Sequence, residues 1–390
     1  MIRLSPNSPI RLFATVAKGI EPIVAKELEV LNAQKIQSTP GGVHFEGGLE
    51  TLYRANLWLR TANRVLMPIA EFACPTPQAL YANVRQIRWN EWMTPQQTLA
   101  VDCNCRDSQI THSHYAALKI KDAIVDQFRD ETGTRPNVAP RHPDLQINAH
   151  IVKDHCVLSL DTSGARLHVR GYRSQATEAP LRETLAAAIV DLVGWDSEGT
   201  FIDPMCGSGT IVIEAALKAM NYAPGLLRCG NVASGKPEFG FQRWPGFDHK
   251  LWGRLVDEAK SQIHAELPGR ILGYDISQEA IEIASHNAEI AGLDKHIRFA
   301  RGDALNLNPP GNRGVIVCNL PYGERLGQLE ELKSLYKHFG DVLKQRCVGY
   351  TAYLFTGNLK LAKSIGLRTA KRFTLYNGPI ECRLLKYELF

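Results

Sequence analysis

The segment that most narrows the folds open to this chain is Phe201-Ile202-Asp203-Pro204-Met205-Cys206-Gly207-Ser208-Gly209-Thr210, an apolar strand that runs through a glycine turn into an apolar helix over 211–219. Strand, turn and helix in that order open an alternating β/α sheet, and such sheets bind ligands beyond the carboxyl ends of their strands. Gly207 and Gly209 let backbone N–H groups approach a ligand with no Cβ in the way. A dinucleotide fingerprint asks for a third glycine at position 212, which is Val212, so nicotinamide and flavin are disfavoured.

From about Leu181 onward the chain keeps that β/α period, and the class expected is α/β with a parallel sheet. Strands are expected at 200–203, 271–275, 297–300, 315–318 and 350–355. The runs 373–376 and 382–387 flank Asn377-Gly378 and predict a terminal antiparallel pair, with that dipeptide supplying the positive φ of the turn. Asp275 and Asp303 fall at strand ends on the same edge as the glycine turn. One carboxylate there suits a ribose diol, and the other suits an exocyclic adenine amine.

The fourth strand ends in Val317-Cys318-Asn319-Leu320-Pro321-Tyr322-Gly323. The Asn319 side-chain carbonyl and the Leu320 backbone carbonyl are suited to accept from an exocyclic NH2 group while Tyr322 stacks on its ring and Pro321 shapes the loop. An aromatic amine is a poor nucleophile because its lone pair is delocalised. Preorganised acceptors and alignment with an electrophilic methyl address that without a strong base.

Ahead of this domain the pattern predicts two smaller α/β modules. Residues 1–9 read as a loose tail. Strands at 11–16, 43–45 and 65–72 with helices at 21–31 and 49–61 make a module that ends near Pro75 and Pro77. A helical start at 76–84, strands at 98–104, 146–151 and 156–161, and a helix at 113–130 with an Ala117, Ile120, Ile124, Phe128 stripe make the next. Residues 221–268 exceed a simple crossover and read as an insertion whose Trp244 and Trp252 pack it down or edge the target pocket.

Composition removes other classes. With 390 residues, 44% hydrophobic and 22% charged, disorder and a coiled-coil rod do not fit. Nine cysteines, an odd number, and a Cys103-Asn104-Cys105 pair without zinc-ligand spacing predict free thiols, no metal and a cytoplasmic protein. No apolar run long enough for a membrane helix occurs. A net charge of +5 permits a nucleic-acid partner without identifying one.

Residues 203–210 and the run Asn319-Leu320-Pro321-Tyr322-Gly323-Glu324-Arg325-Leu326 resemble the cofactor and target-amine motifs of THUMP-containing S-adenosylmethionine-dependent RNA methyltransferases. Arg170-Gly171-Tyr172-Arg173 and the run 179–189 resemble the segment that covers the cofactor in that family. Residues 17–21, 41–45 and 119–126 extend the likeness to nearly the whole chain, nearest to the bacterial 23S ribosomal RNA guanine-N2 enzymes. The chain is expected to carry one methyltransferase domain, where some members carry two.

The resemblance implies a Rossmann-like class I domain over 166–390, a ferredoxin-like subdomain over 10–72 and an RNA-binding THUMP domain over 73–165. It implies S-adenosylmethionine held by Asp203, Pro204, Met205, Cys206, Gly207, Gly209, Thr210, Glu183, Thr184, Asp275, Ile276, Asp303, Ala304 and Asn319. Asn319, Leu320, Pro321 and Tyr322 would act on the target base. Lys119, Lys121, Arg129 and Arg135 would contact phosphates of naked or partly assembled ribosomal RNA, with the target base extruded or unpaired.

The expected reaction is methyl transfer to the N2 of a guanine. Transfer RNA guanine-N2 and RNA adenine-N6 are the competing acceptors, the second because Leu320 stands where proline is usual and where ribosomal RNA adenine-N6 dimethylating enzymes carry leucine. A cytosine-C5 reaction would need a cysteine nucleophile, and Cys318, within a buried strand, reads as core packing. A noncatalytic RNA-binding assembly factor is the alternative of another class.

Overall fold

A computed structural model describes residues 9–173, 181–229, 239–322 and 329–390. The contacts within it divide the chain into two units. One takes the described parts of Met1–Val16, Val24–Leu167 and Val232–Val256, and the other those of Ala17–Ile23, His168–Asn231 and Asp257–Phe390.

The first elements are β1 (Ile10–Thr15), α1 (Glu21–Val30), β2 (Gln34–Thr39), β3 (Gly42–Gly47), α2 (Leu49–Trp58) and β4 (Arg64–Ala73). They are followed by α3 (Pro77–Arg85), β5 (Thr98–Arg106), α4 (Ser113–Thr132), β6 (Asn137–Val138), β7 (Leu145–Val152) and β8 (His155–Asp161). The strands form one sheet in the order β2-β3-β1-β4-β8-β7-β5-β6. β4 pairs with β1 on one edge and β8 on the other, so the two stretches expected as separate modules share a continuous sheet. Periodicity along a strand reports which face is buried and is silent about which strands its edges meet.

β2 and β6 were not expected from the pattern. Both are outer strands, one largely polar and the other two residues long and exposed, as sheet edges that avoid further pairing tend to be. The prolines that mark a boundary near residue 76 also start a helix. Thr76 Oγ1 accepts from the Ala79 amide at 3.1 Å, and Pro77 occupies the first turn. On α4 the buried stripe runs through Ala116, Ile120, Ala123, Ile124 and Phe128, with Ala116 in place of the expected Ala117.

The expected insertion 221–268 contains α7 (Leu226–Cys229) and α8 (His249–Ser261), and the described part of Val232–Val256 belongs to the first unit. There Trp252 meets Tyr53, Phe239 and Phe241 edge-on with ring centroids 5.7, 5.4 and 5.2 Å away. Trp244 is buried and meets Trp92 at 6.1 Å. Both tryptophans pack within that unit.

The second unit holds α5 (Glu183–Val193), β9 (Thr200–Asp203), α6 (Thr210–Ala219), β10 (Arg270–Asp275), α9 (Gln278–Ile290), β11 (Ile297–Arg301) and β12 (Gly314–Asn319). It continues with α10 (Leu329–Arg346), β13 (Tyr350–Thr356), α11 (Leu359–Ala362), β14 (Lys371–Asn377) and β15 (Ile380–Glu388). The strand order is β11-β10-β9-β12-β13-β15-β14. The first five strands are parallel, and β15 runs antiparallel to β13 and β14. Ile202, Ile316, Cys318 and Leu354 pack beneath Tyr336, Phe339 and Leu343 of α10.

The terminal hairpin departs from expectation in its turn. Asn377 pairs with Ile380 as the last residue of β14, so the two-residue loop is Gly378-Pro379. Only Gly378 carries positive φ, at 61°, and the fixed φ of proline suits the second position. Among the described residues no helix is long and apolar enough to cross a membrane.

Candidate active site

The chain leaves β9 for β10 on one side and returns to β12 on the other, so the strand order reverses between β9 and β12. A crevice at such a switch point is the ordinary ligand site of an open α/β sheet. The glycine turn follows β9 and the Asn319 loop follows β12, so the two sequence motifs flank that point from neighbouring parallel strands.

The turn is built by hydrogen bonds across the strand ends. The Cys206 amide donates to the Tyr274 carbonyl at 2.8 Å, and the Gly207 amide to Asp275 Oδ2 at 2.9 Å. Gly207 and Gly209 have φ of 51° and 82°. A Cβ on Gly209 would lie 3.1 Å from Ala284 Cβ and 3.2 Å from the Phe299 ring, so the left-handed turn is pressed against α9 and β11. Cys206 packs in the same small cluster, Pro204 is buried beneath, and Asn287 Nδ2 holds the Ser208 carbonyl at 3.0 Å. Gly209 caps α6 without a side-chain acceptor, which leaves first-turn N–H groups for a ligand.

Acidic groups ring this turn. Asp203 is buried, and its Oδ1 accepts from the Met205 amide at 3.1 Å. Burial pushes its carboxyl up to about 8 against that hydrogen bond, with the Asp275 charge adding to the rise. Asp275 Oδ1 accepts from Ser277 at 2.9 Å, and next to it Ile276 exposes its side chain. Asp303 caps the short turn Ala304–Asn306 by accepting from the Leu305 amide at 2.9 Å, while Ala304 is buried in the core.

A second layer comes from the segment before α5. Arg173 donates to Thr210 Oγ1 and to the Leu181 carbonyl, both at 2.8 Å, and its Nε lies 3.4 Å from Glu183 Oε1. Glu183 and Thr184 are buried, and Glu183 Oε2 has no hydrogen-bond partner among the described residues. Burial raises the Glu183 carboxyl while Arg173 draws it back down. The same segment is pinned to α6 by Arg170, whose guanidinium meets the Glu214 carboxylate at 3.3 and 3.4 Å, and by the Tyr172 hydroxyl, which donates to Glu214 at 3.3 Å. Residues 179–180 of the covering motif lie outside the described residues.

Asn319 ends β12, and its Oδ1 is buried with no hydrogen-bond partner among the described residues. A buried amide oxygen without a partner is costly unless a ligand donor completes it. Leu320 is buried and its amide donates to the Phe355 carbonyl at 3.0 Å. Pro321 is exposed and Tyr322 half-buried. Residues 323–326 of the motif lie outside the described residues. Cys318 is fully buried beside this loop, with its thiol held well above the usual range by burial first and by the Asp203 and Asp275 charges after it, an environment that opposes a thiolate nucleophile.

Lys119, Lys121, Arg129 and Arg135 lie in the first unit. Lys121 pairs with Asp122 at 2.5 Å, and Arg129 with Asp126 at 2.9 Å. Lys119 sits 5.7 Å from the centre of the Tyr115 ring, and Arg135 is exposed. Arg173, Glu214, Asn287, Tyr336 and Asn377 touch the site and were not anticipated as contributors. Arg173 alone had a local signal, since it ends the covering motif.

Residues 170–386 match a family model described as an RMKL-like methyltransferase domain. Residues 11–66 match an RlmL ferredoxin-like domain, and 75–161 a THUMP domain. A ribosomal RNA large subunit methyltransferase K/L of Syntrophotalea carbinolica is 47% identical over 98% of the chain and 54% of its own length, so the chain spans about half of that relative. A Synechocystis sp. protein provisionally named an RNA methyltransferase is 45% identical over 97% of the chain and 96% of its own. The crystal structure of SMU.472, provisionally titled a methyltransferase and complexed with SAH, shares 31% identity and a TM-score of 0.87 over 98% of both chains.

Proposed function

Since the chain belongs to the RMKL-like methyltransferase family, with RlmL ferredoxin-like and THUMP domains preceding the methyltransferase domain, we propose that it moves a methyl group from S-adenosylmethionine to the N2 of a guanine in 23S ribosomal RNA. The observation that carries this reading is the buried Asn319 Oδ1 at the switch point, an acceptor with no hydrogen-bond partner among the described residues.

The residues present fit the cofactor. Glu183 Oε2 is a buried acceptor without a partner among the described residues, suited to an α-ammonium group. The uncapped start of α6 at Thr210 suits a carboxylate. Asp275 would take the ribose diol, and Ile276, Asp303 and Ala304 the adenine, with Asp203, Pro204, Met205, Cys206, Gly207, Gly209 and Thr184 shaping the turn beneath. Bound there, S-adenosylmethionine supplies an electrophilic methyl group. Asn319 Oδ1 and the Leu320 carbonyl accept the two amine hydrogens and draw the nitrogen toward tetrahedral geometry, Pro321 shapes the loop, and Tyr322 stacks on the base. Asn319 Oδ1 and the Leu320 carbonyl would hold guanine N2 in line with the methyl group that the cofactor would supply, and the proton that N2 gives up as it gains the methyl would pass to water.

The THUMP stretch would hold the RNA, naked or partly assembled and in the cytoplasm. Lys119 and Arg135 are the stronger phosphate candidates of the four, because Lys121 and Arg129 already face carboxylates.

The test is incubation with labelled cofactor and unmodified ribosomal and transfer RNAs, followed by nucleoside digestion. N2-methylguanosine in large-subunit RNA is expected, and Asn319→Ala should abolish it while leaving cofactor affinity within about threefold, as befits a residue needed in the transition state. N6-methyladenosine or labelled transfer RNA would reassign the acceptor, and calorimetry without cofactor binding would make the chain a noncatalytic RNA-binding factor.

A further inference from the structure

Three consecutive residues of the loop after β12 are tied to three different elements. The Leu320 amide donates to the Phe355 carbonyl of β13 at 3.0 Å. The Tyr336 hydroxyl of α10 donates to the Pro321 carbonyl at 3.2 Å. Asn377 Nδ2, at the end of β14, donates to the Tyr322 hydroxyl at 2.9 Å, with Cys382 Sγ of β15 a longer 3.7 Å from the same oxygen. Along its edge the Tyr322 ring lies against Gly357, where a Cβ would sit 2.7 Å from Cε2 and 2.8 Å from Cδ2. Phe355 meets the ring edge-on, with centroids 6.5 Å apart and planes at 75°.

We propose that Asn377 is a positioning residue for methyl transfer: its hydrogen bond from the carboxyl-terminal hairpin fixes the plane of the Tyr322 ring on which the target base stacks, and Gly357 keeps open the slot that the ring's edge occupies. This rests on the stacking role given to Tyr322 above. A tyrosine free at its hydroxyl must surrender rotamer freedom each time it captures a base, whereas one anchored at that end and seated against Gly357 has already done so. Among the described residues the anchoring strand makes no hydrogen bond to the glycine turn or to Asp275, so its loss falls on base capture and spares the cofactor.

The experiment compares Asn377→Ala, Tyr322→Phe and the double variant in steady-state methylation of unmodified 23S RNA. Each single variant removes the same hydrogen bond from one end. Each is expected to lower kcat/KM for RNA roughly three- to tenfold, chiefly through KM, with cofactor affinity unchanged. The double variant should lose no more than Tyr322→Phe alone, which also removes the longer Cys382 contact. Gly357→Ala, which forces the ring to move, should lose more. A structural role alone would lower the melting temperature in step with kcat/KM. Wild-type kcat/KM in Asn377→Ala, or multiplicative losses, overturns the inference. If Asn377→Ala does not fold, Tyr322→Phe removes the bond without touching the hairpin, and wild-type kcat/KM there overturns it equally. Failure of the wild-type protein to methylate any RNA would instead overturn the proposed function, and this inference with it.

Discussion

The amide of Gly207 donates to Asp275 Oδ2 at 2.9 Å, which ties the glycine turn after β9 to the end of β10. The other oxygen of the same carboxylate accepts from Ser277 at 2.9 Å, at the start of α9. One side chain therefore sets both the turn and the next helix, and its remaining lone pairs are oriented in advance for the ribose diol proposed for it.

Asp275→Asn tests that double duty. An amide has one oxygen where the carboxylate has two, so either Gly207 or Ser277 would face an NH2 group and lose its acceptor. Leaving such a donor unsatisfied costs about 1–3 kcal/mol. A lower melting temperature and at least about tenfold weaker cofactor binding by calorimetry are expected, the latter being 1.4 kcal/mol or more. Unchanged affinity would remove Asp275 from the cofactor site.

Asp203 predicts a pH dependence of stability. Burial raises its carboxyl to about 8 in the folded chain, against about 3.9 when unfolded. The folded state thus holds the proton more tightly, and that stabilisation, complete below about 4, is lost as the pH rises toward 8, by about 1.4 kcal/mol per unit. Asp203→Asn keeps an oxygen for the Met205 amide but cannot ionise. In the absence of cofactor its melting temperature should exceed that of the parent by a margin that widens from pH 6 to pH 8. A margin constant over that range would show that Asp203 does not titrate there.

What was legible in the sequence follows from range. Phe201 to Thr210 spells strand, turn and helix within ten consecutive positions, and the Asn319 loop announces itself at the end of an apolar strand. Asn377 lies 55 residues from Tyr322 and Glu214 lies 44 from Arg170, and nothing in either neighbourhood signals its partner. The pairing of β4 with β8 was hidden for the same reason, since periodicity reports faces and not edges. Trp244 and Trp252 show the limit from the other side. Large aromatics are visible anywhere, but which core they fill depends on the fold.

Cys318→Ser separates amine chemistry from cytosine-C5 chemistry. Cys318 is packed with Ile202, Ile316 and Tyr336, and its thiol is held neutral by burial. The serine variant should transfer methyl groups at close to the parental rate. It should also melt lower, because a hydroxyl buried without a partner costs about 1–3 kcal/mol. Complete loss of turnover in a folded variant would restore a cysteine nucleophile.

The Arg170–Glu214 pair decides whether the covering segment is held by charge or by packing. Both side chains are almost wholly buried, at 2% and 0% exposure, with the guanidinium and the Tyr172 hydroxyl both donating to the carboxylate. Arg170→Met leaves the carboxylate buried with the tyrosine as its remaining donor among the described residues, a loss of about 3–5 kcal/mol. Because the same segment carries Arg173 to Thr210 and Glu183, cofactor affinity should fall in that variant as well. Arg170→Met with Glu214→Leu removes both charges and should recover most of the lost stability, since buried pairs are often replaceable by apolar residues of similar volume. Thermal melts of the parent, the single and the double variants read this directly. A double variant no more stable than Arg170→Met would mean that the segment is held by the shape of the arginine and not by its charge.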